Sequence, residues 1–70
     1  MRKYLIITER GDKGYSAYSP DLPGCIATGR TLRETRSRMR EAMEMHVEGL
    51  RAQGLPVPEA QSTSAYVQVE

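Results

Sequence analysis

The sequence has no tryptophan and no phenylalanine, one cysteine and one histidine. With four tyrosines as its only aromatic residues, and none among its arginines, it lacks the interleaved rings on which single-stranded nucleic acids stack. A lone Cys25 cannot close an intrachain disulfide, and no Cys/His cluster has the spacing of a zinc site. Neither a metal nor a cofactor is therefore expected, and a reducing cytoplasm is the compartment that fits. No run approaches the roughly 18 apolar residues that span a bilayer. The N-terminus, Met1 to Thr8, lacks both the length of a signal h-region and a small-residue cleavage site.

Seventy residues make a single domain, 1–70, near the lower size at which one core offsets chain entropy. Cores this small are often completed by a second chain, so a homodimer or higher homo-oligomer is expected. The net charge of +1 is uninformative in bulk but unevenly spread. Arg30, Arg33, Arg36, Arg38 and Arg40 face a single acid, Glu34, between positions 30 and 40.

Arg2 to Glu9 is rich in Tyr, Leu and Ile around an apolar centre and predicts a strand. Gly11, Asp12, Lys13 and Gly14 supply a turn, so Tyr15 to Ser19 is the second strand of a hairpin. Cys25 to Thr28 predicts a third. Thr31 and Glu34 form a T-x-x-E capping box, after which Leu32, Thr35, Met39, Ala42, Met43, His46, Val47 and Leu50 recur at helical spacing. Gly54 ends this helix, placed at about Leu32 to Gln53, and Pro56 and Pro58 prevent its resumption. Ala65, Val67 and Val69 alternate with Tyr66, Gln68 and Glu70, which predicts a C-terminal strand. The class is α+β, a two-layer β-β-β-α-β arrangement with one helix packed on one face of an antiparallel sheet.

Catalysis finds little support. Asp21 stands alone, while Glu41, Glu44 and Glu48 fall on the solvent side of the helix, where pairs such as Arg40 with Glu44 and Arg38 with Glu34 explain them. His46 lies on the apolar stripe and Cys25 is a packing residue, with no third group to orient an imidazole. No catalytic residue is assigned and no enzyme is expected. Two features remain. Pro20-Asp21-Leu22-Pro23-Gly24 is a stiff corner, because proline fixes its own φ and restricts the residue before it; such pre-ordering lowers the cost of binding. Arg33, Arg36 and Arg40 share a helix flank suited to a phosphate backbone or an acidic partner. Asp21, Leu22, Pro23, Arg33, Arg36 and Arg40 are the expected partner-binding residues.

The stretch Tyr15-x-Ala17-x-x-Pro20-Asp21-Leu22-Pro23-Gly24-Cys25, then Thr28-Gly29 and Thr31-Leu32-x-Glu34 opening a helix, resembles the N-terminal domain of HicB-family antitoxins. The helix end and its exit, Glu41 to Ala60, are similar to the same family's pattern, so the resemblance covers about Tyr4 to Val69. It implies a partial RNase H-like fold without the nuclease's acidic site. It also implies a role in a type II toxin-antitoxin system: binding a HicA-type toxin, a small mRNA-cleaving ribonuclease, and inhibiting it by covering its active surface. Two departures stand out. The sequence stops at Glu70, before the DNA-binding segment most members carry, so direct DNA binding is not expected of it. The helix start is arginine-rich where relatives are usually acidic, which keeps open the alternative of an orphan nucleic-acid-binding module using the arginine flank.

Overall fold

Thr31 opens the longest element. Its backbone is extended (φ −125°, ψ 161°) and its hydroxyl accepts the Glu34 N–H at 3.0 Å, so the first turn of α1 (Leu32–Ala52) is capped. The Glu34 carboxylate closes back at 2.7 Å onto the N–H of Arg30, one residue before the cap, rather than onto the cap itself. At the far end Gly54 takes φ +70°; its N–H reaches the Arg51 carbonyl at 3.0 Å, and the Leu55 N–H reaches Leu50 at 2.9 Å. That pair of bonds is the Schellman closure, which needs a residue free to adopt left-handed φ.

The computed structural model describes residues 2–70. Before the helix come β1 (Ile7–Arg10), β2 (Tyr15–Tyr18) and β3 (Ile26–Gly29), an antiparallel sheet in the order β1-β2-β3. Thr8, Ala17 and Ala27 are paired across it, as are Ile7, Tyr18 and Ile26. Because alternate residues of a strand face opposite sides, buried Ala17 marks the first row as helix-facing and the second as the open face. α1 lies over β3 and β2, so the helix side of β1 is the least covered part of the sheet.

The core is small: Ala17, Leu22, Cys25 and Met39 are buried, with Tyr4, Ile6, Ala27, Ala42, Met43 and Val47 packed around them. Two buried hydroxyls keep their hydrogen bonds, Ser19 Oγ to the Leu5 carbonyl at 2.8 Å and Thr35 Oγ1 to that of Thr31 at 2.7 Å, as burial of a polar group requires. Gly29 is where strand and helix come closest; a Cβ there would lie 2.6 Å from Thr35 Oγ1 and 2.8 Å from the Thr35 nitrogen.

The helix and the order of the three strands match the expectation from sequence. β1 is shorter than Arg2 to Glu9, because Pro20 has no N–H to extend the ladder beside residues 2–6, and the Ser19 side chain bonds Leu5 instead. The expected fourth strand is not formed. Ala65 to Glu70 has no strand assignment and is exposed throughout; alternation creates a face but does not supply a neighbouring strand.

Candidate partner-binding surface

The proline corner between β2 and β3 is built from two consecutive turns. The Leu22 N–H bonds the Ser19 carbonyl at 3.3 Å, and the Cys25 N–H bonds that of Leu22 at 3.2 Å. Gly24, at φ +84°, makes the turn back into β3, a backbone conformation that disfavours side chains. The outcome for its side chains differs from the expectation. Leu22 is 0% exposed and plugs the core, so it has no surface to offer a partner; the geometry that stiffens the corner also drives this apolar side chain inward. Asp21 is turned onto its own chain. Its carboxylate accepts the N–H groups of Gln61 and Ser62 at 3.1 and 2.9 Å and the Ser62 hydroxyl at 2.8 Å. Those bonds, the Ser62 N–H first and its hydroxyl next, hold the Asp21 carboxyl below the usual aspartate range. Pro20, Pro23 and Gly24 remain exposed.

The helix arginines stay outside. Arg33, Arg36 and Arg40 are all exposed, Arg40 in a loose pair with Glu44 at 3.9 Å and Arg38 similarly with Glu34 at 3.7 Å. Solvated pairs at this spacing contribute a few tenths of a kcal/mol. Arg36 and Arg40 border an open groove of about 900 Å³ between α1 and the N-terminal segment. Its floor is Tyr4, Ile6, Met43 and Val47, and Arg2 and Arg51 complete its basic rim. Arg33 lies outside that groove, and so does the proline corner. The six expected residues therefore do not form one surface.

Arg2 and Arg51 escaped the sequence reading because they lie far apart in the chain and outside the arginine cluster. Missed too was the apolar row Ile7, Tyr18 and Ile26 on the open face, where Ile26 is 70% exposed; strand alternation was its only signal. A second hollow, at the opposite end of the sheet, is lined by Gly11, Gly14, Ser16, Gly29 and Arg38, among others. There the Arg38 guanidinium donates to the Thr28 carbonyl at 3.1 Å.

As for reactive groups, Cys25 is buried, and desolvation pushes its thiol up, the reverse of what activates a thiolate. Among the described residues no three or more His, Cys, Asp or Glu side chains converge as a metal site would require. No helix among the described residues is long and apolar enough to cross a membrane.

A family model described as the HicB_like antitoxin of bacterial toxin-antitoxin systems matches residues 4–70. An uncharacterised 14.9 kDa protein from the rep-hol intergenic region of Haemophilus phage HP1 is 33% identical over 64 residues, 91% of this chain and 48% of that protein. A UPF0150 protein of Synechocystis is 39% identical over 56 residues, covering 79% of this chain and 71% of the relative. Among solved structures, a chain of the HicA3 and HicB3 toxin-antitoxin complex superimposes with a TM-score of 0.69 at 33% identity, over 79% of this chain and 64% of that one. The chain thus spans about half the length of the phage relative and less than two thirds of the solved chain. With the α+β architecture shared and the family matched from residue 4 to residue 70, the chain belongs to the HicB-like antitoxins of bacterial toxin-antitoxin systems.

Proposed function

We propose that this chain is the toxin-binding part of an antitoxin, and that it inhibits a HicA-type mRNA-cleaving toxin by covering the toxin's active surface. The observation that carries the reading is the match, at 33% identity and a TM-score of 0.69, to a chain of a solved HicA3 and HicB3 complex. The mechanism is occlusion. The chain's single thiol is buried and its side chains form no metal cluster among the described residues, whereas a basic groove, an apolar sheet row and the exposed Pro23 are available for contact. Arg36 and Arg40 provide charge complementarity to an acidic rim on the partner, and Arg33 extends that charge along the helix. Asp21 and Leu22 act indirectly, by holding the corner in shape.

The test is an RNA-cleavage assay with a HicA-type toxin encoded beside this chain. One equivalent of the chain is expected to suppress cleavage, and the two proteins to co-purify. Full cleavage at tenfold excess of the chain would refute the proposal. A second reading, a nucleic-acid-binding module, is favoured by one observation, four arginines bordering a single groove; its salt dependence separates it from the first.

A further inference from the structure

Beyond Ser62, which Asp21 holds, Thr63 to Glu70 is exposed at every position. Tyr66, Val67 and Val69 are 106%, 80% and 85% exposed, so in its own chain this tail touches almost nothing. Yet Ala65, Val67 and Val69 alternate with polar positions as a half-buried strand does. The molecule is correspondingly long, 46 × 27 × 19 Å, and its radius of gyration of 13.5 Å exceeds the roughly 11 Å of a compact domain this size. Its accessible surface is 6046 Å², against about 4,400 Å² for a folded monomer of this mass. The excess exceeds the roughly 800 Å² per partner that a stable interface buries.

A receiving site is present on the same chain. Among the described residues β1 has a strand neighbour on one side only, and residues 2–6, which precede it, have no strand assignment. The outer edge of β3 is the poorer acceptor, because Arg38 occupies the Thr28 carbonyl. Beside β1 lies the groove floored by Tyr4, Ile6, Met43 and Val47. A strand added to that edge would place one face over this floor and the other beside Ile7, where the apolar row of Ile7, Tyr18 and Ile26 ends. The tail's period-two pattern suits both, with Val67 and Val69 for the groove and Tyr66 for the open face.

We propose that residues 63–70 of each chain form a fourth strand on the β1 edge of a second copy, giving a dimer in which both tails are exchanged. The contact is reciprocal, so it closes under twofold symmetry, and it covers at once the exposed tail and an unpaired sheet edge.

Light scattering coupled to size-exclusion chromatography, with the chain at about 50 µM, reads the result. The wild type is expected at twice the monomer mass. Val67→Lys with Val69→Lys in the tail, and separately Val47→Glu in the groove, are expected at half that mass with helical circular dichroism retained. Ile26→Lys, on the far strand, is expected to remain dimeric. A monomeric wild type overturns the proposal. So does a dimer that survives both the tail and the groove variants, or a monomer whose amides 66–69 resist hydrogen exchange, which would put the tail on its own β1. No toxin enters the experiment, so its outcome is independent of the toxin-binding reading.

Discussion

Asp21 and Ser62 are joined twice across 41 positions: the Asp21 carboxylate accepts the Ser62 N–H at 2.9 Å and the Ser62 hydroxyl at 2.8 Å. An acid that the sequence offers as a docking residue is thereby committed to a tether, which fixes where the chain leaves the two-layer body after α1. Tyr4 supports the same return path, its hydroxyl donating to the Pro58 carbonyl at 2.6 Å.

Asp21→Asn is expected to free this tether while leaving the sheet and helix intact. Amide exchange at Gln61 and Ser62 should accelerate and proteolysis should begin near residue 62, with far-ultraviolet circular dichroism unchanged. Acid should do the same to the wild type. Since the folded Asp21 carboxyl sits below its ordinary value, its stabilisation is fully present above about pH 3.9 and is lost as pH falls through the folded value. Exchange at Ser62 measured from pH 6 to pH 2 should show that step in the wild type and not in the Asn variant.

Leu22→Ala and Pro23→Ala should behave differently although the two are neighbours. Leu22 is fully buried, and truncating such a side chain costs about 2–5 kcal/mol, a large share of a small domain's stability. Pro23 is exposed, and its replacement should cost less than about 1 kcal/mol through the unfolded chain. Urea denaturation distinguishes them. Equal midpoints would mean that Leu22 does not plug the core.

At the strand-to-helix junction, Gly29→Ala would force a methyl group to 2.6 Å from Thr35 Oγ1. An overpacking cost of about 1–3 kcal/mol is expected, against about 1 kcal/mol for loss of the cap in Thr31→Ala. At roughly 4–8 °C per kcal/mol for a domain of this size, Tm from a thermal melt should rank the two.

Arg36 and Arg40 serve both functional readings, and salt dependence separates the two. For an antitoxin, Arg36→Glu with Arg40→Glu should weaken toxin binding about tenfold or more, mainly through slower association. Were the groove instead to bind duplex nucleic acid through its four arginines, log affinity should fall against log salt with a slope of about −3.6. Isothermal titration at three salt concentrations decides between them, a protein contact with two arginines at its rim giving a much shallower slope than four phosphate contacts.

Local signals proved legible in particular places. Thr31 caps through Glu34 and Gly54 closes the helix because both events involve residues within five positions of one another. The pairs Arg38 with Glu34 and Arg40 with Glu44 follow from helix spacing alone. Leu22 could not be placed in this way: an apolar residue between two prolines reads the same whether it faces a partner or the core, and only the approach of α1 over β2 and β3 closes that choice. Arg2 and Arg51, which share one groove rim with Arg36 and Arg40, were invisible for the same reason.

The amino-acid sequence by itself determined the first three strands, the helix with its two ends and the membership in an α+β family, since caps, turns and periodicity depend on near neighbours. Tertiary structure alone decided that Asp21 binds Ser62, that Leu22 is core, and that the strand-like tail is left without a partner in its own chain. Hydrogen bonds and burial between distant segments depend on how the layers are offset, and α1 covers β2 and β3 while leaving the edge of β1 open.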